Sequence, residues 1–205
     1  MHALIVVAHP NPDSFSHSVA AHVAEGVRLS GQGDTLEIAD LTAEAFDPRF
    51  TAADIAAHLR EGPAPADVLV EQARIDRADA LVLVYPVYWW SMPGLLKGWI
   101  DRVFTNGWAY EDMPGDRPVK RLRHLRIHLV AIGGATMRTY ARHGYFGSMT
   151  KQIDHGIFGY CGAPVATSEL LLTETQDMAS HLDTVRAIGQ NLFAGSSSET
   201  TADAA

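Results

Sequence analysis

Runs of apolar residues alternate along this chain with segments in which apolar residues recur every three or four positions. The run at 4–8 has no polar alternation, which predicts a strand buried on both faces, as in a parallel sheet. Further strands are predicted at 35–39, 80–85, 126–132 and 165–172. The first helix is predicted to begin at Asp13 or Ser14, and the other helices lie at 52–59, 66–77, 93–104, 148–160 and 177–193.

The order of these elements predicts an α/β fold, in which a doubly wound, five-stranded parallel sheet carries helices on both faces. Residues 1–194 are expected to form one domain, and the segment 195–205, rich in Ser, Thr and Ala, is expected to be a disordered tail. Two connections, 106–124 and 133–147, show no clear periodicity and are expected to be loops. Loops of this length are usually functional or mobile.

Composition narrows the class of protein. Hydrophobic residues make up 47% of the 205 positions, and no apolar run approaches the roughly 18 residues of a membrane span. The single cysteine, Cys161, cannot form an intramolecular disulfide, and the first residues lack the pattern of a signal peptide. These features predict a cytoplasmic protein, and the net charge of −8 argues against a surface that binds nucleic acid.

One segment departs from this acidic average, because it concentrates basic residues. They are Arg117, Lys120, Arg121, Arg123 and Arg126. Such a cluster could hold an adenylate tail or favour a 2′-phosphate, although a run of this kind is more often a solvated loop.

Three loops follow predicted strands and should meet at the carboxyl edge of the sheet, where open α/β sheets bind ligands. The first loop, 9–16, combines an imidazole and hydroxyl groups with a helix N-terminus, an arrangement that favours anions. It contains neither a Walker sequence nor a Gly-x-Gly-x-x-Gly fingerprint. An ordinary turn with a serine cap is the alternative interpretation.

The second loop carries two tryptophans, and the third carries two glycines. Loop 86–93 contains Trp89 and Trp90, which either roof the core or face a flat ligand, because adjacent indoles are costly to expose. Gly133 and Gly134 let the backbone lie against a flat ring, although paired glycines also form plain turns. Together the three loops predict a site for a phosphate and a planar heteroaromatic ring, which describes a flavin nucleotide.

Several stretches resemble the NAD(P)H:quinone oxidoreductase (DT-diaphorase) family, and its compact bacterial members in particular. They are Ala8-His9-Pro10 with Ser14-Phe15-Ser16, Asp40-Leu41 with Phe46-Asp47-Pro48, the continuous segment 86–104, and Trp108-Ala109-Tyr110. The resemblance implies a flavodoxin-like fold, FAD or FMN as cofactor, and a homodimer with active sites at the subunit interface. It also implies two-electron reduction of quinones by NADH or NADPH, in a ping-pong cycle of hydride transfer through flavin N5.

The resemblance also assigns roles to individual residues. Those it implies for flavin binding are His9, Ser14, Phe15, Ser16, Ser18, Pro86, Val87, Tyr88, Trp89, Trp90, Gly133 and Gly134. FAD is favoured over FMN, because the first loop offers more polar groups than one phosphate needs.

The substrate side departs from the family pattern. Tyr110 matches a tyrosine of the family, but the second tyrosine of that pair is Asp112 in this chain. Tyr140, His143 and Tyr145 stay open as alternatives for a proton donor, because the histidine expected in this region falls on a phenylalanine.

Other functions compete with this interpretation. Some compact relatives are ancillary subunits of potassium efflux transporters, which would add a membrane partner, and azo or nitro reduction would use the same flavin. A metal site is disfavoured, because the histidines lack ligand spacing and there is no second cysteine. A serine hydrolase is disfavoured, because the chain has no Gly-x-Ser-x-Gly sequence.

Overall fold

The computed structural model describes residues 1–113, 115, 117–174 and 177–194. Its strands are β1 (His2–Val7), β2 (Thr35–Asp40), β3 (Ala80–Pro86), β4 (Tyr110–Glu111), β5 (Val119–Lys120), β6 (Arg126–Gly133) and β7 (Val165–Leu172). Five of them form one parallel sheet in the order β2-β1-β3-β6-β7, and β4 pairs with β5 in a small antiparallel sheet. The predicted five-stranded parallel sheet is confirmed, and the predicted tail at 195–205 lies outside the described residues.

Helices cover both faces of this sheet. They are α1 (Phe15–Leu29), α2 (Ala52–His58), α3 (Ala66–Asp76), α4 (Gly94–Val103), α5 (Met137–His143), α6 (Tyr145–Met149) and α7 (Met178–Gln190), and a π-helical segment, Thr150–Gly159, continues α6. No helix in the described part of the chain is both long enough and apolar enough to cross a membrane.

The core has two layers, because successive strand residues point to opposite faces of the sheet. Leu83 packs in the layer that contains Trp99 of α4, whereas its neighbour Val84 packs in the layer that contains Val23 of α1. Burial on both faces explains why the strands appear in the sequence as continuous apolar runs.

Segment 133–147 is not the irregular loop expected from the sequence. It contains α5 and the start of α6, and the Thr136 side chain caps α5 by accepting a hydrogen bond from the Thr139 N–H at 3.3 Å. Gly144 ends α5 in the left-handed region, at a φ of 67°. The expectation is wrong because helix α5 buries only Tyr140, so there is no apolar repeat to detect.

His128, in the middle of β6, should make stability depend on pH. Its side chain is 3% exposed, and burial, with a further contribution from the Arg126 charge, lowers the pKa of this imidazole from 6.5 to about 4. The unfolded chain therefore binds a proton that the folded chain does not. The contribution of His128 is complete above about pH 6.5 and is lost as the pH falls towards 4, by about 2 kcal/mol at pH 5.

Urea unfolding at about pH 7.5 and about pH 5 measures this effect. Wild type should lose about 2 kcal/mol more free energy of unfolding between these two conditions than His128→Asn, which cannot titrate. His22→Asn, at a half-buried histidine of α1, serves as the control and should keep the wild-type pH dependence. Equal pH dependence in wild type and His128→Asn would contradict a buried neutral imidazole.

Candidate active site

Three loops meet where β1, β3 and β6 end. The three strands are neighbours in the sheet, and the first residue after a strand bonds to the next strand: Ala8 N–H donates to Val84 O at 3.3 Å, and Val87 N–H donates to Ile132 O at 2.8 Å. The chain reverses its direction of winding between β1 and β3, which leaves a crevice at that edge. The structure therefore places the first, second and third loops around one crevice.

A strained turn stands at the centre of this edge. Tyr88 and Ser91 exchange backbone hydrogen bonds of 3.0 and 3.1 Å, and the two residues between them, Trp89 and Trp90, have φ angles of 51° and 61°. Positive φ at both central positions is typical of turns built from Asn and Gly, and it costs other residues roughly 1–2 kcal/mol each. The Trp89 side chain is also 93% exposed. Strain and an exposed indole together mark a functional position.

A cavity of about 220 Å³ lies beside this turn. Its lining residues are Val87, Trp89, Trp90, Gly134, Ala135 and Tyr140. The Tyr140 ring meets the Trp90 indole edge to face, with ring centroids 5.3 Å apart. Burial raises the pKa of Tyr140, so its hydroxyl keeps its proton at neutral pH and can donate it in a hydrogen bond.

The two glycines of the third loop differ in their surroundings. Gly133 is buried, and a Cβ atom built there would lie 2.6 Å from the Tyr140 hydroxyl oxygen. Gly134 is exposed, lines the cavity, and has open space where a Cβ would stand. Gly133 therefore makes room for Tyr140, and Gly134 offers bare backbone to the cavity.

A hydrogen-bonded chain of side chains supports the first loop. Ser14 caps α1, its Oγ lies 2.8 Å from His17 Nδ1, and His17 Nε2 lies 2.9 Å from Asp40 Oδ2. Burial opposes ionisation of Asp40, but hydrogen bonds from His17 and from the amides of Ala43 and Thr42 outweigh it and lower the pKa of Asp40. Because a carboxylate only accepts, His17 donates to Asp40 through its Nε2–H, and its Nδ1 shares a hydrogen bond with the Ser14 hydroxyl.

This chain gives Ser14 a structural role. Its Oγ accepts a hydrogen bond of 3.4 Å from the His17 N–H and lies beside His17 Nδ1, so Ser14 fixes the start of α1 at the edge of the crevice. Sequence reasoning missed His17 and Asp40. The spacing of Ser14 and His17 at a helix start is a detectable signal, whereas Asp40 is 23 residues away from His17 and only the pairing of β1 with β2 brings it close.

Other first-loop residues are dispersed around the start of α1. His9 Nδ1 accepts a hydrogen bond of 3.1 Å from the Asn11 N–H, and Phe15 packs against His181 with ring centroids 6.2 Å apart. Ser16 is buried, whereas Ser18 is exposed. In the second loop, Pro86 ends β3 and Tyr88 is half-exposed.

Two of the candidate catalytic residues do not line the cavity beside the turn. Tyr110 lines a separate groove of about 350 Å³ together with Ile100 and Tyr160. His143 is exposed at the end of α5, where it stacks on Tyr145 with centroids 5.2 Å apart. Of the three candidates, only Tyr140 lies in the cavity within this chain.

The basic cluster is largely engaged in contacts within the chain. Lys120 donates to the Gly159 carbonyl at 2.6 Å, Arg121 pairs with Glu111, and Arg126 donates to the Ala194 carbonyl at 2.9 Å. A larger cavity of about 610 Å³ lies near Lys120, where β7 begins, and shares no lining residue with the three loops. Because open parallel sheets bind ligands at the carboxyl ends of their strands, we assign the site to the smaller cavity.

Comparison with known proteins agrees with this architecture. A family model described as a flavodoxin-like fold matches residues 1–190. A ribosyldihydronicotinamide dehydrogenase (quinone) of Rattus norvegicus is 31% identical over 186 residues, which cover 82% of this chain and 79% of that protein.

Solved structures of similar proteins agree with the sequence comparison. An NAD(P)H:quinone oxidoreductase from Methanothermobacter marburgensis is 30% identical, has a TM-score of 0.82, and is matched over 94% of this chain and 98% of its own. A general stress protein 14 from Treponema denticola, solved in complex with FMN, is 25% identical with a TM-score of 0.63, over 91% of this chain and 94% of its own. The chain belongs to the flavodoxin-like family of NAD(P)H:quinone oxidoreductases.

Proposed function

We propose that this protein is a flavin-dependent NAD(P)H dehydrogenase that reduces quinones by two electrons. The proposal rests on the cavity between the Trp89-Trp90 turn and the exposed backbone of Gly134. This cavity lies at the carboxyl edge of the sheet. The exposed indole of Trp89 and the open space at the Cβ position of Gly134 fit a planar ring such as an isoalloxazine. Family membership supports the same reaction.

The residues of the site have distinct roles in this proposal. A bound flavin supplies the ring that takes two electrons from NADH or NADPH and gives them to the acceptor. Gly134 would lie against that ring, Trp90 would form the facing wall of the cavity that donor and acceptor enter, and the first turn of α1 would offer its N–H groups to the phosphate. Tyr140 retains its proton and donates a hydrogen bond into the cavity. One opening that serves donor and acceptor in turn predicts ping-pong kinetics.

We also propose that the protein is a homodimer. The groove that contains Tyr110 is lined by apolar side chains, among them Ile100, Phe104 and Ile157, and it lies apart from the Trp90 cavity. The family resemblance implies active sites at the interface of a homodimer, in which Tyr110 of one copy would face the cavity of the other. Burial raises the pKa of Tyr110, and the Asp112 carboxylate raises it further. The Tyr110 hydroxyl would therefore be protonated at the interface. Light scattering should give the mass of two chains, and the mass of one chain would contradict the proposal.

A visible spectrum of the purified protein, together with the mass of any yellow compound released on denaturation, tests the cofactor. FAD is the expected flavin on the polar groups of the first loop, and FMN is the alternative supported by the FMN-bound neighbour. Turnover is then measured with NADH or NADPH and a quinone, an azo dye or a nitroaromatic compound as acceptor. Fastest turnover with the quinone is expected. A colourless protein that binds neither flavin in a titration would overturn the function, and tight flavin binding without turnover would favour an ancillary subunit.

A further inference from the structure

The side chains of the strained turn have unequal surroundings. Trp89 is almost fully exposed, so its contacts cannot offset the positive φ angles of the turn. Trp90 is half-buried, and two tyrosines contact it. Of the two tryptophan side chains, Trp90 is therefore the one whose contacts add to the Tyr88–Ser91 backbone hydrogen bonds in holding the turn in its unfavourable conformation.

The closest of these contacts is made by Tyr145, the first residue of α6. Its ring lies flat on the Trp90 indole, with centroids 3.7 Å apart and planes 11° from parallel. The His143 ring also stacks on Tyr145, with centroids 5.2 Å apart and planes 26° from parallel. Gly144, in the left-handed region, separates α5 from α6 and so sets the position at which Tyr145 begins the second helix.

Tyr145 contacts the wall of the cavity and does not line the cavity itself. Trp90 and Tyr140 both line it, and Tyr140 meets Trp90 edge to face at 5.3 Å. The indole of Trp90 thus has Tyr145 against one face and Tyr140 in a perpendicular contact. These contacts restrict the side-chain torsions of an indole that sits on a two-residue turn at the surface.

We propose that Tyr145 is a positioning residue that determines which acceptors the site takes. It holds the Trp90 indole in one plane, so that one wall of the cavity is flat and fixed. This inference rests on the proposed function. A fixed flat wall favours planar acceptors, because a guest of that shape meets a surface that is already in place. Without the Tyr145 ring, Trp90 can rotate away from the cavity, and planar acceptors lose that surface.

The experiment compares two acceptors in the flavin-loaded enzyme. Menadione is a flat bicyclic quinone that should dock against Trp90, and ferricyanide is a small inorganic ion that takes electrons without a flat surface to dock on. Tyr145→Leu should raise the KM for menadione about tenfold, while kcat and the ferricyanide rate stay at wild-type values. Tyr145→Phe should behave as wild type, because stacking requires the ring and not the hydroxyl.

Phe146→Leu is the matched control. It removes a neighbouring, exposed aromatic ring from the same helix, whereas the ring stacked on Trp90 is that of Tyr145, and it should leave the KM for menadione unchanged. Should Tyr145→Leu fail to fold, Tyr145→Met replaces it under the same criteria.

Three results would overturn the inference. They are an unchanged KM for menadione in Tyr145→Leu, an equal loss with menadione and ferricyanide, which indicates a merely structural role, and a Tyr145→Phe variant as impaired as Tyr145→Leu. In each case wild type would still bind flavin and reduce menadione, so the proposed function would stand. A wild-type protein that binds flavin but does not reduce menadione would instead fail the proposed function.

Discussion

Replacing Arg102 with leucine is expected to lower the free energy of unfolding by about 3–5 kcal/mol. The guanidinium is 4% exposed and donates to Asp54 Oδ1 at 3.0 Å, to Asp67 Oδ2 at 2.6 Å and to the Asp47 carbonyl at 2.8 Å. Asp54 is fully buried and also caps α2 through Thr51. Leucine would fill much of the volume but leave the Asp54 carboxylate buried without its cation, which is the costly part of the change.

A double variant separates lost charge from lost packing. Arg102→Leu combined with Asp54→Asn should recover part of the loss, because no uncompensated carboxylate is then buried. Arg186→Leu is the control, since Arg186 pairs with Glu25 and Asp183 on the surface, and it should change stability little. Urea unfolding near neutral pH measures all three. Equal losses in the Arg102 and Arg186 variants would show that the buried network contributes no more than a surface pair.

The fold followed from the sequence because its signals are local and strong. The strand at 165–172 was predicted with the bounds that β7 has, and the run at 4–8 overlaps β1 with a shift of one or two residues. Helix α5 and the start of α6, ahead of the helix predicted at 148–160, escaped prediction for a physical reason. They have seven and five residues, so neither completes the repeats that an apolar pattern needs.

The site was predictable only in part. Its place at the strand ends follows from the α/β connectivity, and the loops containing Trp90 and Gly134 do meet there. The positive φ angles of the tryptophans were not predictable, because that turn normally requires Asn or Gly. The link from Ser14 through His17 to Asp40 joins α1 to β2, and the separation of Tyr110 from the cavity depends on the path of the whole chain between β3 and β6.

Replacing Gly134 with valine is expected to raise the dissociation constant for flavin about 100-fold while leaving the protein folded. A Cβ at Gly134 would meet no heavy atom within 4 Å, and its φ lies outside the left-handed region that disfavours side chains. The protein without ligand should therefore accept the substitution. The same methyl groups would stand in the cavity beside Trp90, where we propose that the flavin ring lies. Titration of the apoprotein with FAD and FMN measures the affinity, and a thermal melt checks the fold.

Two further variants test whether a loss of flavin affinity comes from filling this cavity. Gly134→Ala should give an intermediate loss, because it adds one methyl group instead of an isopropyl group. Gly147→Val adds the same isopropyl group on α6, also in open space but outside the residues that line the cavity, and should bind flavin as wild type does. If Gly134→Val bound flavin as tightly as wild type, the ring could not lie against this glycine. The flavin would then have to dock elsewhere along the edge of the sheet, and the cavity beside Trp90 would have a different occupant.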